Sequence, residues 1–167
     1  AEFLRSAWPE LRDVRFEGVA VPPAPVVVDS SRMNDSSVNA PDRCATVGAG
    51  ASWASVADAL KPFGMKSVQA SPISGTFSTV GGLAAQGVPA GLDSILGLTV
   101  VLSDRSVART GTPMGFYRYA GPDLTGLFLG DCGAFGIKTE IVIRIAPEQP
   151  TAFASFGFDN ADDVLQG

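Results

Sequence analysis

The chain contains no histidine. That removes a Ser-His-Asp triad and the imidazole ligands on which many zinc sites depend. Its cysteines, Cys44 and Cys132, lie far apart with no metal-ligand spacing. They could form one bridge, but two buried thiols are the expectation. Long apolar runs are also missing. The longest, Ile95 to Leu102, is far shorter than a bilayer span, so no transmembrane segment is expected. No signal-peptide pattern opens the chain, and the expected location is cytoplasmic, with peripheral membrane association left open. Charge is sparse at 17% and leans acidic, with a net value of −5. Nucleic acid is thereby excluded as a partner, because its phosphates need a basic face. A phosphate-bearing cofactor is not excluded, since backbone N–H groups can hold a diphosphate without lysine or arginine.

What is present is apolar and rich in turns. Hydrophobic residues make up 46% of the 167 positions, enough for one domain with a real core. Nineteen glycines and twelve prolines are scattered between apolar runs and mark tight turns rather than a linker. Val26 to Asp29 reads as a short strand, Asn34 to Asp42 as a polar turn region, and Cys44 to Val47 as a second strand. A helix follows, with Ser52 as N-cap, Gly64 as stop, and Trp53, Val56, Leu60 and Phe63 on one core-facing side. Trp53 is expected to pack rather than to bind a ligand.

Ile95 to Ser103 reads as a buried strand that turns at Asp104-Arg105 and returns from Val107 to Arg109. Pro122 and Asp123 open a helix whose apolar side is Leu124, Leu127 and Phe128. Gly136 to Ala146 is a strand with Ile137, Ile141, Ile143 and Ile145 on one side and Lys138, Glu140 and Arg144 on the other. Thr151 to Phe158 reads as a last strand, with a helix from Asp159 to Gln166. Strands and helices mix without a βαβ metre, so the fold class is α+β.

Three glycine-bearing segments carry the chemistry. The first is the turn Gly48-Ala49-Gly50 before the Ser52 helix. The second is Ser71 to Gly75, followed by Thr79-Val80-Gly81-Gly82-Leu83-Ala84-Ala85-Gln86-Gly87. Adjacent glycines after a threonine can present open amides at a helix start, with the Ser74 and Thr79 hydroxyls beside them. The third is Gly130-Asp131-Cys132-Gly133-Ala134-Phe135-Gly136-Ile137, a tight helix-to-strand turn. Taken alone, the first segment favours a purely structural turn, and the second is equally compatible with one.

Taken in order, Thr79-Val80-Gly81-Gly82, Ile95 to Leu102, Gly121-Pro122-Asp123-Leu124 and Gly130-x-x-Gly133-x-x-Gly136-Ile137-x-Thr139-Glu140 resemble the FAD-linked oxidases. These form the vanillyl-alcohol-oxidase, or PCMH-type, family, and the pattern is most similar to its glycolate oxidase and D-lactate dehydrogenase branch. The resemblance runs from about Val26 to Pro147. It implies a PCMH-type FAD-binding domain over residues 1–150, mainly its second subdomain with a mixed or antiparallel sheet flanked by helices. Residues 151–167 would begin a substrate or cap domain.

The resemblance further implies that Ser74, Thr79, Val80, Gly81, Gly82, Gln86, Gly87, Gly136 and Ile137 contact FAD, Ile137 through its backbone. The family's glycine-rich diphosphate loop should come shortly before Val26. Ala1 to Val21 carries a single glycine instead, and no such loop is recognised. Asp131 stands where the family usually has serine, which would bring a carboxylate near an anion. Without histidine, and with no cysteine just ahead of Thr79, FAD would be held noncovalently. The implied activity is oxidation of a small hydroxylated substrate such as a 2-hydroxy acid, with a cap domain or partner subunit supplying the missing groups. No catalytic base is assigned. The alternative is a truncated or degenerate relative that keeps the fold without binding FAD.

Overall fold

The computed structural model describes residues 28–68, 78–87, 93–112, 118–119, 121–150, 152 and 157. They form β1 (Ser36–Asn39), β2 (Cys44–Gly48), α1 (Trp53–Leu60), a 3-10 turn (Lys61–Phe63) and β3 (Met65–Ser67). Next come α2 (Val80–Gln86), β4 (Ile95–Val101), β5 (Val107–Gly111), α3 (Leu124–Phe128) and β6 (Ile137–Pro147). The strands make one sheet in the order β1-β2-β6-β4-β5, with β3 on the far end of β6 and all pairings antiparallel. The fold is therefore α+β, an antiparallel sheet with few helices, as expected.

β6 is the spine, bonded to β2, β3 and β4. Its Ile141, Ile143 and Ile145 are fully buried, together with Val47 of β2 and Ile95, Leu98 and Val100 of β4. β-branched residues dominate this set because their stiff side chains pack well on a pleated surface. α1 closes part of the core through Val56 and Leu60, and α2 closes another part through Val80, Leu83 and Ala84. At about 25 cal/mol per Å² of apolar surface removed from water, such a cluster is the main favourable contribution to folding.

Local signals place several elements where the sequence puts them. Ser52 Oγ accepts the Ser55 amide at 3.1 Å, and Gly64 ends the helical segment in the left-handed conformation. The β4–β5 hairpin turns where Asp104 Oδ1 accepts the Ser106 amide at 2.9 Å.

Other expectations change. Asn34 to Asp42 is not all turn, because Ser36–Asn39 pairs with β2 as a polar edge strand. β3 has no counterpart in the sequence reading. Val28 and Asp29 lie in no strand, and Val26 and Val27 fall outside the described residues, as do the strand and helix expected after Thr151. Phe63 is 53% exposed rather than core, because the last turn tightens to 3-10 and rotates it outward. α3 is a single short turn that buries Thr125 and Phe128 and leaves Leu124 and Leu127 exposed.

The alternation expected in β6 also breaks. Thr99 is opposite Glu140, but Val100 is opposite Lys138, so Thr139 is an extra residue. This β-bulge reverses the face of everything before it. Ile137 consequently turns outward and Lys138 turns into the protein. Cys44 is buried as expected. Cys132 is exposed, and the two are not joined in a disulfide.

Candidate functional site

The structure gathers the three glycine-bearing segments on one short helix, α2. At its start, the Val80 amide donates to Ala51 O and the Gly81 amide to Ala49 O, each at 2.9 Å. The Gly82 amide donates to Thr79 Oγ1 at 3.1 Å, so Thr79 is the N-cap. Ser52 and Thr79 bridge, and the Trp53 amide donates to Ser78 O at 3.0 Å. At its end, the Gly130 amide donates to Ala84 O and the Cys132 amide to Ala85 O, each at 2.9 Å. The Gly48–Ser52 turn therefore holds one end of α2, and the Gly130–Gly136 turn holds the other. At about 1.5 Å per residue the two ends stand roughly 10 Å apart.

Close backbone approach explains two glycines here. A Cβ on Gly81 would stand 2.5 Å from Ala49 O, and one on Gly87 would stand 2.5 Å from Gly130 Cα. Gly82 differs, because its Cβ would meet only Thr79 Oγ1, at 3.0 Å. The small residues expected as a ligand surface thus divide. Val80 and Gly81 are buried and make structural contacts, while Gly82 and Gly87 are half-buried and Gln86 is exposed. The amides of Val80, Gly81 and Gly82, expected to be open, are all donated within the chain. The first-turn vacancies of a helix are here filled by carbonyls of the neighbouring turn.

Ser74 lies outside the described residues. Gly136 is half-buried with φ +147°, packed beside Val100 and Val101, and Ile137 opens β6 opposite Val101 with 42% of its surface exposed.

The sequence reading missed the role of Asp131 and Lys138. Lys138 Nζ bonds Asp131 Oδ1, and their side chains are 4% and 1% exposed. Asp131 Oδ1 also accepts the Gly133 amide at 2.9 Å, and Oδ2 accepts the Phe135 amide at 3.1 Å. Burial pushes this carboxyl up. The Lys138 bond, the two amide bonds and the Lys138 charge outweigh that, and hold it below the ordinary Asp value. The Asp131 carboxylate, expected near an anion, is instead a nearly sealed side chain paired with Lys138. The signal was hidden because Lys138 faces inward only through the bulge at Thr139.

Among the described residues, no group of three or more His, Cys, Asp or Glu could hold a metal ion. No helix there is long and apolar enough to cross a membrane.

The fold is an antiparallel α+β sheet with glycine turns docked on a short capped helix. The FAD binding domain family model matches residues 16–111. The chain belongs to that family, with the PCMH-type fold of the FAD-linked oxidases and FAD as the family's cofactor. It is 36% identical over 75 residues to the glycolate oxidase subunit GlcD of Bacillus subtilis (strain 168), covering 44% of this chain and 16% of that one. A solved alkyldihydroxyacetonephosphate synthase matches 70% of this chain and 22% of its own, with a TM-score of 0.57 and 22% identity. That likeness concerns the fold. The chain thus spans less than a quarter of the length of either protein.

The described residues fit one part of FAD better than another. Gly82 offers a low surface that a flat ring can approach. Trp53 packs against the core as expected, with its Nε1 buried and without a hydrogen-bond partner. The diphosphate finds no such fit at the start of α2, where the amides of Val80, Gly81 and Gly82 are taken.

Proposed function

We propose that this chain is the FAD-holding domain of an oxidoreductase acting on a small hydroxylated substrate, a 2-hydroxy acid of the glycolate or D-lactate kind. Residues 1–150 form the FAD-binding part, and residues 151–167 begin the cap. Thr79, Gly82, Gln86 and Gly87 on α2, Ser74 from the preceding segment, and Gly136 with the Ile137 backbone face the cofactor. Val80 and Gly81 support them from the core side. FAD is held noncovalently, and when bound it supplies the hydride acceptor. The protein's own share is to present a flat, small-residue surface and to keep the adjoining turns fixed. The convergence of three glycine segments on α2 is the observation that carries this reading. The similarity to the glycolate oxidase subunit supports the substrate class.

The test is anaerobic addition of glycolate or D-lactate to the purified full-length protein. Bleaching of the visible bands of oxidised flavin is expected. Flavin that stays oxidised with both acids would remove the substrate assignment. Protein purified without flavin, and unable to take it up, would favour a second reading, a relative that keeps the fold without the cofactor. The internally donated amides of Val80, Gly81 and Gly82 are the observation on its side.

A further inference from the structure

Asp131 makes four of the hydrogen bonds that shape the Gly130–Gly136 turn. The Asp131 carbonyl accepts the Ala134 amide at 2.9 Å, and its carboxylate accepts the amides of Gly133 and Phe135 and the Lys138 ammonium. Cys132, a non-glycine residue, sits at φ +50°, so local backbone preference alone does not hold this path. Lys138 reaches the carboxylate because the bulge at Thr139 turns it inward, and both charges are nearly sealed from water. The flanks of the turn are tied to the end of α2 through Ala84 O and Ala85 O.

We propose that Asp131 and Lys138 are a positioning pair that sets the Gly136–Ile137 backbone, and the C-terminal end of α2, in the geometry FAD requires. This rests on the reading of Gly136, Ile137 and α2 as cofactor contacts. The carboxylate does what a neutral side chain of the same size cannot do. It accepts on both oxygens at once, and its charge is cancelled locally, so no net negative charge faces the cofactor's phosphates.

Three variants of the full-length protein test the proposal: Asp131→Asn, Lys138→Met and the double variant. FAD affinity is read by quenching of flavin fluorescence, stability by urea unfolding, and turn order by amide exchange at Gly133 and Phe135. Both single variants lower stability and weaken FAD binding. The double variant carries no unpaired charge and regains stability, as matched removal of a buried pair often does. It does not regain affinity, because the substituted carboxamide offers one acceptor oxygen where the carboxylate offered two. The expected deficit is at least about tenfold, the equilibrium equivalent of losing one hydrogen bond to a charged group.

An affinity that rises and falls with stability across the three variants would make the pair merely structural and overturn the proposal. Affinity within twofold of wild type in Asp131→Asn would do the same. Gly82→Val leaves the pair intact and checks the underlying site. If it binds FAD as wild type does, the site reading itself fails, and the pair loses its positioning role with it.

Discussion

Gly81 and Gly82 are neighbours on one helix, yet the structure assigns them opposite responses to alanine. In either place alanine gains about 1 kcal/mol of helix propensity over glycine. At Gly81 the new Cβ would stand 2.5 Å from Ala49 O and 2.7 Å from Ala49 Cβ, contacts that only backbone movement relieves. Overpacking of that kind costs about 1–3 kcal/mol. The shift also loosens the Gly81–Ala49 hydrogen bond of 2.9 Å, worth about 1 kcal/mol. Gly81→Ala is therefore expected to lose about 1–3 kcal/mol net.

At Gly82 the only close atom is Thr79 Oγ1 at 3.0 Å, on a side chain that can move a few tenths of an ångström. Gly82→Ala is expected to be neutral or stabilising by up to about 1 kcal/mol. Urea unfolding resolves the pair, since a slope of about 1–3 kcal/mol/M separates their midpoints by roughly 1 M. Equal midpoints would refute the claim that α2 is pressed onto the Gly48–Ser52 turn through Gly81.

Three further outcomes are expected. Asp131→Asn should cost about 3–5 kcal/mol at neutral pH, because it leaves the Lys138 ammonium buried without its counter-charge. The Asp131 carboxyl is held below the ordinary value of 3.8, so its contribution is fully present above that pH and is lost as pH falls through the depressed value. The stability gap between wild type and Asp131→Asn should accordingly close in acid, and a gap constant down to pH 2 would contradict the assignment. Gly82→Val should weaken FAD binding more than folding, read as flavin content against urea midpoint, and equal flavin content would remove that residue from the site. Acid precipitation should release all flavin into the supernatant. Flavin retained in the pellet of wild type but not of Cys132→Ser would instead identify the exposed Cys132 as a covalent anchor.

What was legible in the sequence was local. The Ser52 cap, the Gly64 stop, the Asp104 hairpin turn and the run from Ile95 each carry their signal within a few residues. β1 was not legible, because Ser36–Asn39 is a polar edge segment whose strand character comes from Cys44–Gly48 beside it. The same holds for β3, three residues that become a strand only against the end of β6. Leu124 and Leu127 looked like core because a helix of normal length would bury them, and α3 is too short to do so. In β6 a single extra residue reversed the alternation, and no feature of Gly136–Glu140 announces where a bulge will fall.

The candidate site follows the same division. The family motif marked the residues around α2, since composition and order suffice for that. It did not mark which of their backbone donors are free, because that depends on Ala49 and Ala51, some thirty residues earlier in the chain. Once those carbonyls take the amides of Val80 and Gly81, and Thr79 takes that of Gly82, the start of α2 has little positive end left to offer an anion. On the proposed reading the glycine pair works by shape at this helix, with Gly81 letting the core close and Gly82 leaving a flat approach open. Electrostatic attraction for the diphosphate has to be supplied by other residues. Asp131 does not oppose it, since Lys138 has already cancelled that charge.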